Sequence, residues 1–365
     1  MVSPMKTISF YRYAQIANPE NLRDTLKKSG EEKKILGRIL LGREGINGAV
    51  SGRKEEIELF QEELQQKFKG LTFREQDVSE NSYHKLVVRV RKEICVFGKE
   101  IDVKNTGKHL PAKELERWYD EGKKFTIVDA RNDYEFDVGH FKDAVKLPIK
   151  SFREFPEVAP KILAEKKKET LVLYCTGGVR CEKASAYLKE QGFSDVYQVD
   201  GGIISYLNQF STHWEGGLFV FDDRLVEESC SPLNSCRFCH AKTDAIHNCF
   251  NLDCDKLFIA CVDCLKKMNR TCSEGCKGSP RQRRVEEKKE IVGKVVNYYP
   301  NVKIAAVQFE RDISDQETIT FKGKTTYFSQ KIGKKKVDEE GVATFFVKEK
   351  VRKNDKILVP LERIS

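Results

Sequence analysis

A cysteine at the end of an apolar run, followed five residues later by an arginine, is the chemically most pointed feature of this chain. The segment reads Thr170-Leu-Val-Leu-Tyr-Cys175-Thr-Gly-Gly-Val-Arg180-Cys181. The run has the length of a buried strand, and Ala184, Tyr187, Leu188 and Gln191 take up helical spacing soon after the glycines. Cys175 is therefore expected at the carboxyl end of a strand, facing a helix N-terminus, where open α/β sheets bind ligands. The backbone N–H groups of Thr176, Gly177, Gly178 and Val179, the helix dipole and the Arg180 charge all favour a thiolate or another anion there. A buried strand cysteine also occurs as inert packing, but paired glycines and an arginine do not serve simple packing. Cys181, at the first turn of the helix, is a candidate resolving thiol if the two sulfurs converge, and otherwise a small residue packed on the sheet.

Eight more cysteines lie at metal-ligand spacing: Cys236-x2-Cys239, Cys249-x4-Cys254, Cys261-x2-Cys264 and Cys272-x3-Cys276. Four short-spaced pairs supply two sets of four thiolates, enough for two closed, structural zinc sites. The block has few large aliphatic residues, so metal is expected to supply much of its folding energy. Interleaved sharing, with the first and third pairs on one ion, is preferred over sequential sharing, and neither is excluded. His240 and His247 are expected to be spectators. Twelve cysteines in all could instead form a disulfide framework. Their clustering, the reactive thiol and the lack of a signal-peptide core in Met1–Phe10 point to a reducing cytoplasm. No stretch approaches the ~18 apolar residues of a membrane span.

The elements that must position these groups fall into four blocks, giving an expected α/β and α+β multidomain fold. Residues 1–100 read as βαββαβ, with strands near Ile8–Tyr11, Ile35–Leu41, Ile46–Ser51, Leu71–Gln76 and Lys85–Val90. The helices start at Asn18-Pro19 and run through Ile57, Phe60, Leu64 and Phe68. This order is ferredoxin-like, as in acylphosphatases, and says nothing of activity. Asn47-Gly48 reads as a tight turn or a substrate contact. Residues 108–217 alternate strands (Thr126–Asp129, Ala144–Leu147, Leu171–Tyr174, Val196–Val199) with helices, which predicts a parallel sheet covered on both faces. Asp129 is read as a turn or capping residue and His140 as a satisfied loop histidine. The cysteine module occupies residues 230–280. Residues 285–365, with strands near Val292–Tyr298, Ile304–Phe309, Glu317–Phe321 and Thr344–Lys348, suggest a small basic β-barrel.

Charged residues make up 33% of the chain and the net charge is +9, which fits an anionic partner but only weakly implies nucleic acid. From Arg281 onward there are 20 Lys and Arg against 13 Asp and Glu, so most of the surplus lies in the tail. Arg281, Arg283 and Arg284, with Lys334-Lys-Lys336, make an RNA-facing surface plausible there, although lysine runs usually mean a solvated loop. No Gly-x-Gly-x-x-Gly fingerprint opens a βαβ unit and no two-His-one-carboxylate set is evident, so no nucleotide or iron cofactor is expected.

The Cys175 loop resembles the active-site loop of rhodanese domains. Its Cys-x4-Arg length is one residue shorter than the Cys-x5-Arg loop of the cell-cycle phosphatases on the same fold, which favours sulfur over phosphate. Asp129-Ala-Arg131, Gly139-His140 and Asp200-Gly-Gly202 fit the rhodanese pattern as well. Together with Arg43-Glu-Gly-Ile-Asn47-Gly, the stretches Asp129–Glu135 and Cys175–Ser185 and the eight-cysteine block, residues 6–280 resemble the bacterial tRNA uridine hydroxylase family, TrhO. The resemblance implies oxygen-dependent hydroxylation of the wobble uridine of tRNA, with Cys175 catalytic and molecular oxygen as co-substrate. Gly323–Lys331 is more weakly similar to a C-terminal barrel of collagenase-like peptidase-family proteins and translation factors. Two other uses of the chain compete: a persulfide sulfurtransferase, resting on the loop alone, and a non-enzymatic RNA-binding adaptor.

Overall fold

The computed structural model describes residues 4–220, 226–227, 232–283, 289–323, 326–339 and 341–360. Arg284, and Lys324 and Thr325 of the Gly323–Lys331 stretch, lie outside these. The chain forms two compact units, Met1–Gln282 and Arg283–Ser365. Among the described residues no helix is long and apolar enough to cross a membrane.

The first unit opens with β1 (Met5–Tyr13), α1 (Pro19–Glu32), β2 (Leu36–Gly42), β3 (Gly45–Arg53), α2 (Lys54–Lys67), β4 (Phe73–Val78) and β5 (Leu86–Val90). The sheet order is β4-β1-β3-β2-β5, antiparallel except that β5 runs parallel to β2. This is the expected βαββαβ arrangement, and the strand expected near Lys85–Val90 is β5, at the edge of the sheet beside β2. Asn18 caps α1, its side chain accepting the Asn21 N–H at 2.9 Å, and Pro19 takes the first helical turn. Alternation along the strands sends Ile8, Phe10, Ile39, Leu41, Ile46 and Val50 into a core with Leu26, Ile57, Phe60 and Leu64 of the helices. The opposite face has no helix and carries polar residues. Asn47 and Gly48 do not form the expected turn. They lie within β3, because Arg43 and Glu44 close a two-residue hairpin in which Gly42 pairs with Gly45.

The chain continues through β6 (Lys108–Leu110), α3 (Ala112–Asp120), β7 (Thr126–Asp129), α4 (Asp133–Val138), β8 (Gly139–Phe141) and α5 (Phe155–Ile162). It then runs through β9 (Thr170–Tyr174), α6 (Val179–Glu190), β10 (Asp195–Val199) and α7 (Gly202–Leu207). Strands β6-β10-β9-β7 form a parallel sheet. One face packs on α5 and α6 and the other on α3 and α7. The strand expected at Ala144–Leu147 is reduced to a single bridge between Val145 and Val128. Pro148 follows directly and has no N–H with which to extend a ladder.

Helix α6 departs from its expected one-sided stripe. All nine residues from Arg180 to Leu188 are buried, and Gln191 lies past the helix end. The first domain covers its outer side. Lys183 reaches Glu44 Oε1 at 3.0 Å, Glu93 Oε2 at 2.9 Å and the Cys95 carbonyl at 3.0 Å, while Tyr11 donates to Glu182 Oε1 at 2.8 Å. Two adjacent charged residues thus fasten the first domain onto the helix that begins at the Cys175 loop.

After α7, β11 (Trp214–Gly216) pairs with β8, and β12 (Leu218–Phe219) pairs with β13 (Val226–Glu227). The cysteine block is built on the hairpin β14 (Ile246–Asn248) and β15 (Leu257–Ile259), followed by α8 (Val262–Lys267) and α9 (Glu274–Lys277).

The second unit comprises β16 (Lys289–Tyr299), β17 (Ile304–Phe309), β18 (Thr318–Lys322), β19 (Tyr327–Lys331), β20 (Lys336–Val337), β21 (Val342–Phe346) and β22 (Lys356–Pro360). They form one sheet ordered β19-β18-β22-β16-β17-β21-β20 around a single apolar cluster. With β19 and β20 as its two ends, the sheet is a half-barrel, where a barrel was expected.

Candidate functional site

Cys175 follows β9 directly and is fully buried. The Gly178 N–H points at its sulfur, N to Sγ 3.1 Å. Gly178 adopts the left-handed region at φ 98°, and a β-carbon there would meet the Tyr11 hydroxyl at 2.9 Å. Gly202 supports the loop from behind. A β-carbon on it would lie 2.5 Å from the Cys175 carbonyl oxygen, and its absence lets Ile203 and Ile204 donate to the carbonyls of Cys175 and Thr176 at 3.0 and 3.2 Å. Burial alone pushes the Cys175 thiol up. Hydrogen bonding from Cys181, the Arg180 charge and the backbone N–H groups of Cys181 and Arg180 outweigh it and bring it down to about 6. The same contact, added to burial, holds the Cys181 thiol well above the ordinary range, so that Cys181 stays protonated as a donor.

Arg180 is not a bare charge. Its guanidinium forms a two-pronged pair with Glu135, Nη1 to Oε2 at 2.7 Å and Nη2 to Oε1 at 2.8 Å, and also donates to Thr176 Oγ1 at 3.1 Å. Glu135 is completely buried. Burial acts to raise its carboxyl, but Arg180 overrides it and keeps the group ionised. Arg131 and Asp129 make a second buried pair, 2.6 Å apart, and Arg131 also donates to the Gly139 carbonyl at 2.6 Å. Asp129 accepts the Arg131 backbone N–H at 2.8 Å, which is the turn role expected of it. His140 stacks on Phe136 at 3.9 Å and is within 2.9 Å of the Phe136 carbonyl, a satisfied histidine.

The Cys175 loop opens on a cleft of about 430 Å³ whose far wall is the polar face of the first domain's sheet. Ser9, Tyr11, Arg38, Asn47, Arg74 and Gln76 line that wall, opposite Cys175, Thr176, Gly177, Val179 and Arg180. Asn47, placed in β3, donates to the Ile94 carbonyl at 3.0 Å and so holds the segment that carries Cys95. Cys95 also lines the cleft, but burial pushes its thiol up to about 12, so it is not a second thiolate. Glu135 stands out in the sequence only as the end of the Asp129–Glu135 stretch, with no role attached, and Cys95 and the arginines of β2 and β4 belong to no motif. Their strand alternation placed Arg38 and Arg74 on the polar face, but only the docking of that face onto α6 gives it a role.

The eight cysteines gather as two sets, Cys236, Cys239, Cys261 and Cys264, and Cys249, Cys254, Cys272 and Cys276, each with its sulfurs within 4.8 Å of one another. The sharing is therefore interleaved. The β14–β15 hairpin dictates it: the second pair sits in the turn, whereas the first and third pairs flank the open end. Sulfur separations of 3.6, 3.7 and 3.8 Å match the ~3.8 Å edge of a tetrahedron with zinc–sulfur bonds of about 2.3 Å. Neither His240 nor His247 belongs to a set, and His247 Nε2 lies 3.0 Å from the Ala260 carbonyl. Arg281 pairs with Asp253 of the same block, and Arg283 begins the second unit.

The thiol chemistry is directly measurable. Alkylation of Cys175 by iodoacetamide is expected to rise with pH and to be half-maximal near pH 6, and Arg180→Met is expected to move that midpoint up. The folded thiol ionises near 6 and an unperturbed one near 9. The fold therefore gains stability as pH rises from 6 to 9, and loses that gain as pH falls back through 6. Arg180→Met also strands buried Glu135, at a cost of about 3–5 kcal/mol, read from the urea midpoint.

Residues 5–94 match the UPF0176 acylphosphatase like domain, residues 111–209 the rhodanese-like domain and residues 215–277 the Rhodanase C-terminal family. The tRNA uridine(34) hydroxylase of Chlamydia felis is 37% identical over 289 residues, which cover 76% of this chain and 88% of that protein. Its counterpart in Chlamydia pneumoniae is 38% identical over 292 residues, covering 76% and 89%. That of Protochlamydia amoebophila is 35% identical over 285 residues, with the same coverage of 76% and 89%. Among solved structures, a rhodanese-like domain protein from Staphylococcus aureus is 31% identical, covers 27% of this chain and 90% of its own, and has a TM-score of 0.24. The C-terminal domain of a Geobacillus thermoleovorans protein assigned to the U32 peptidases is 26% identical, covers 19% and 89%, and has a TM-score of 0.17. With a buried cysteine loop of rhodanese type, an acylphosphatase-like domain before it and relatives matched over most of their length, this chain belongs to the tRNA uridine(34) hydroxylase family.

Proposed function

We propose that this chain hydroxylates C5 of uridine 34, the wobble position of tRNA, with Cys175 as its nucleophile and molecular oxygen as co-substrate. The observation that carries the reading is a buried sulfur brought down to about 6 in the wall of a cleft, in a chain that belongs to this family. Such a thiol is largely ionised at neutral pH and is nucleophilic without a separate base. Uracil is electrophilic at C6, so addition of the thiolate there turns C5 into the electron-rich carbon that takes up oxygen. Insertion of one oxygen atom at C5 leaves the second to be reduced to water by two electrons and two protons. Oxidation of the Cys175 and Cys181 thiols to a disulfide releases that amount, which gives Cys181 the part of resolving thiol.

Zinc in the two four-cysteine sets holds the block as closed structural sites, with no position left for substrate. The second unit's surplus of positive charge, with Arg281, Arg283 and Arg284, supplies a sequence-independent hold on the RNA backbone. The pairing of Arg281 with Asp253 reduces its share. The molecule acts where tRNA is found, in the cytoplasm.

Cys175→Ser, nearly isosteric, is expected to abolish 5-hydroxyuridine derivatives in tRNA when it replaces the native chain, with folding intact. Mass spectrometry of wobble nucleosides reads this, and normal 5-hydroxyuridine levels in that strain would refute the catalytic assignment. Loss of a thiolated base instead would point to sulfur transfer.

Protein purified without chelator is expected to contain two zinc ions per chain by elemental analysis. Cys249→Ser is expected to contain one and to melt at lower temperature. One ion or none in the unaltered chain would count against the assignment.

A further inference from the structure

The polar face of the first domain's sheet carries a row of four residues that cross the cleft. Arg74 of β4 pairs in register with Ser9 of β1, Ser9 with Ala49 of β3, and Ala49 with Arg38 of β2. All four line the cleft that contains Cys175. Neighbouring strands lie about 4.8 Å apart, so the two arginine backbones stand ~14 Å apart with a floor of small side chains between them. Same-row residues project to the same side of a sheet.

Arg74 is only 9% exposed, and a guanidinium that deeply placed normally has a carboxylate partner. Among the described residues it has none within ion-pair distance. Its Nε donates to the Gly201 carbonyl at 3.0 Å and its guanidinium carbon lies 4.9 Å from the centre of the Tyr11 ring. Asp200, which feels the Arg74 charge, is bound instead to His109 Nδ1 at 3.2 Å. Arg38, at the other end of the row, likewise forms no ion pair among the described residues and is exposed to the cleft. Between them, the buried Ser9 hydroxyl oxygen has no hydrogen-bond partner among the described residues. Arg180, by contrast, is fully engaged by Glu135. The site therefore holds two arginines on its far wall that form no ion pair among the described residues, facing a sulfur that is itself anionic.

We infer that Arg38 and Arg74 form a phosphate clamp that grips the RNA backbone on either side of the target nucleotide and presents its base to Cys175. The assignment rests on the tRNA reading given above and deepens it: it names the wall that holds the substrate. Arginine suits the task because its fork donates two parallel hydrogen bonds to a phosphate. The small floor of Ser9 and Ala49 leaves room for the ribose and base, and Ser9 gains the partner it lacks.

The test uses the full chain and an anticodon stem–loop RNA with uridine at position 34, titrated at several salt concentrations between about 50 and 200 mM. Each phosphate contact contributes roughly 0.7–0.9 to the slope of log affinity against log salt. Arg38→Gln and Arg74→Gln are each expected to lower the slope by about that amount, and to weaken binding about five- to eightfold near 0.1 M salt. The iodoacetamide profile of Cys175, measured on the same samples, reports whether the loop is intact. A slope unchanged in either variant, with that profile preserved, overturns the clamp. Arg38 is exposed and forms no ion pair among the described residues, so Arg38→Gln decides the matter even if Arg74→Gln misfolds. An unaltered chain that binds no stem–loop at all overturns the tRNA reading instead. If thiosulfate or inorganic phosphate protects Cys175 in the unaltered chain but not in the variants, while the RNA slope stays the same, the arginines hold a free anion and the clamp is overturned.

Discussion

A sulfur anion with no solvent around it has to be stabilised entirely by what the protein places beside it, and most of the structure near Cys175 follows from that demand. Burial by itself would hold the thiol protonated. The counterweight is assembled from three kinds of group: backbone N–H groups at the start of α6, a neighbouring thiol that keeps its own proton, and Arg180. A charge of that kind cannot stand unpaired in the interior either, so Glu135 grips Arg180 with both oxygens. The glycines at 178 and 202 follow in turn, since only residues without a β-carbon let the loop close tightly enough to aim its N–H groups at the sulfur.

The same helix organises the two domains. Its first turn polarises Cys175 and its next residues, Glu182 and Lys183, seize Tyr11, Glu44 and Glu93 of the preceding domain and its connection. The sheet of that domain turns its helix-free face toward the loop, so the active cleft has one wall from each. Such a division of labour suits a reaction at a base inside a longer polyanion: one wall carries the thiolate, and the other is free to bind what surrounds the base.

Much of this was legible in the residues. The strand–loop–helix at Cys175, the βαββαβ order of the first domain and the two sets of zinc-type cysteines all depend on local spacing, and local spacing is what a sequence displays. What was hidden depends on long-range contact. Asn47-Gly48 looked like a turn because the dipeptide favours one, but Arg43-Glu44 closes the hairpin first and carries Asn47 into β3. Gln191 fits the helical stripe, yet α6 ends before it, and the residues on the helix's outer side are buried by a domain whose contacts with them span 88 to 171 positions in sequence. Glu135 could be noted as part of a motif, but its partnership with Arg180 spans 45 positions. The small barrel expected at the C-terminus is a half-barrel, and strand count and alternation do not determine whether the first and last strands meet.

The central claim is that the Cys175 thiolate attacks C6 of uridine 34 within the two-walled cleft. The most direct measurement replaces that uridine with 5-fluorouridine in an anticodon stem–loop, incubates it aerobically with the full chain, and maps any RNA-linked peptide by mass spectrometry. Once oxygen has added at C5, the sulfur leaves C6 as the C5 proton is lost; fluorine in place of that proton blocks this elimination and holds the sulfur on the ring. The account predicts a covalent adduct on the peptide that carries Cys175. An adduct on Cys95 or Cys181, or none at all with RNA that binds normally, would contradict it.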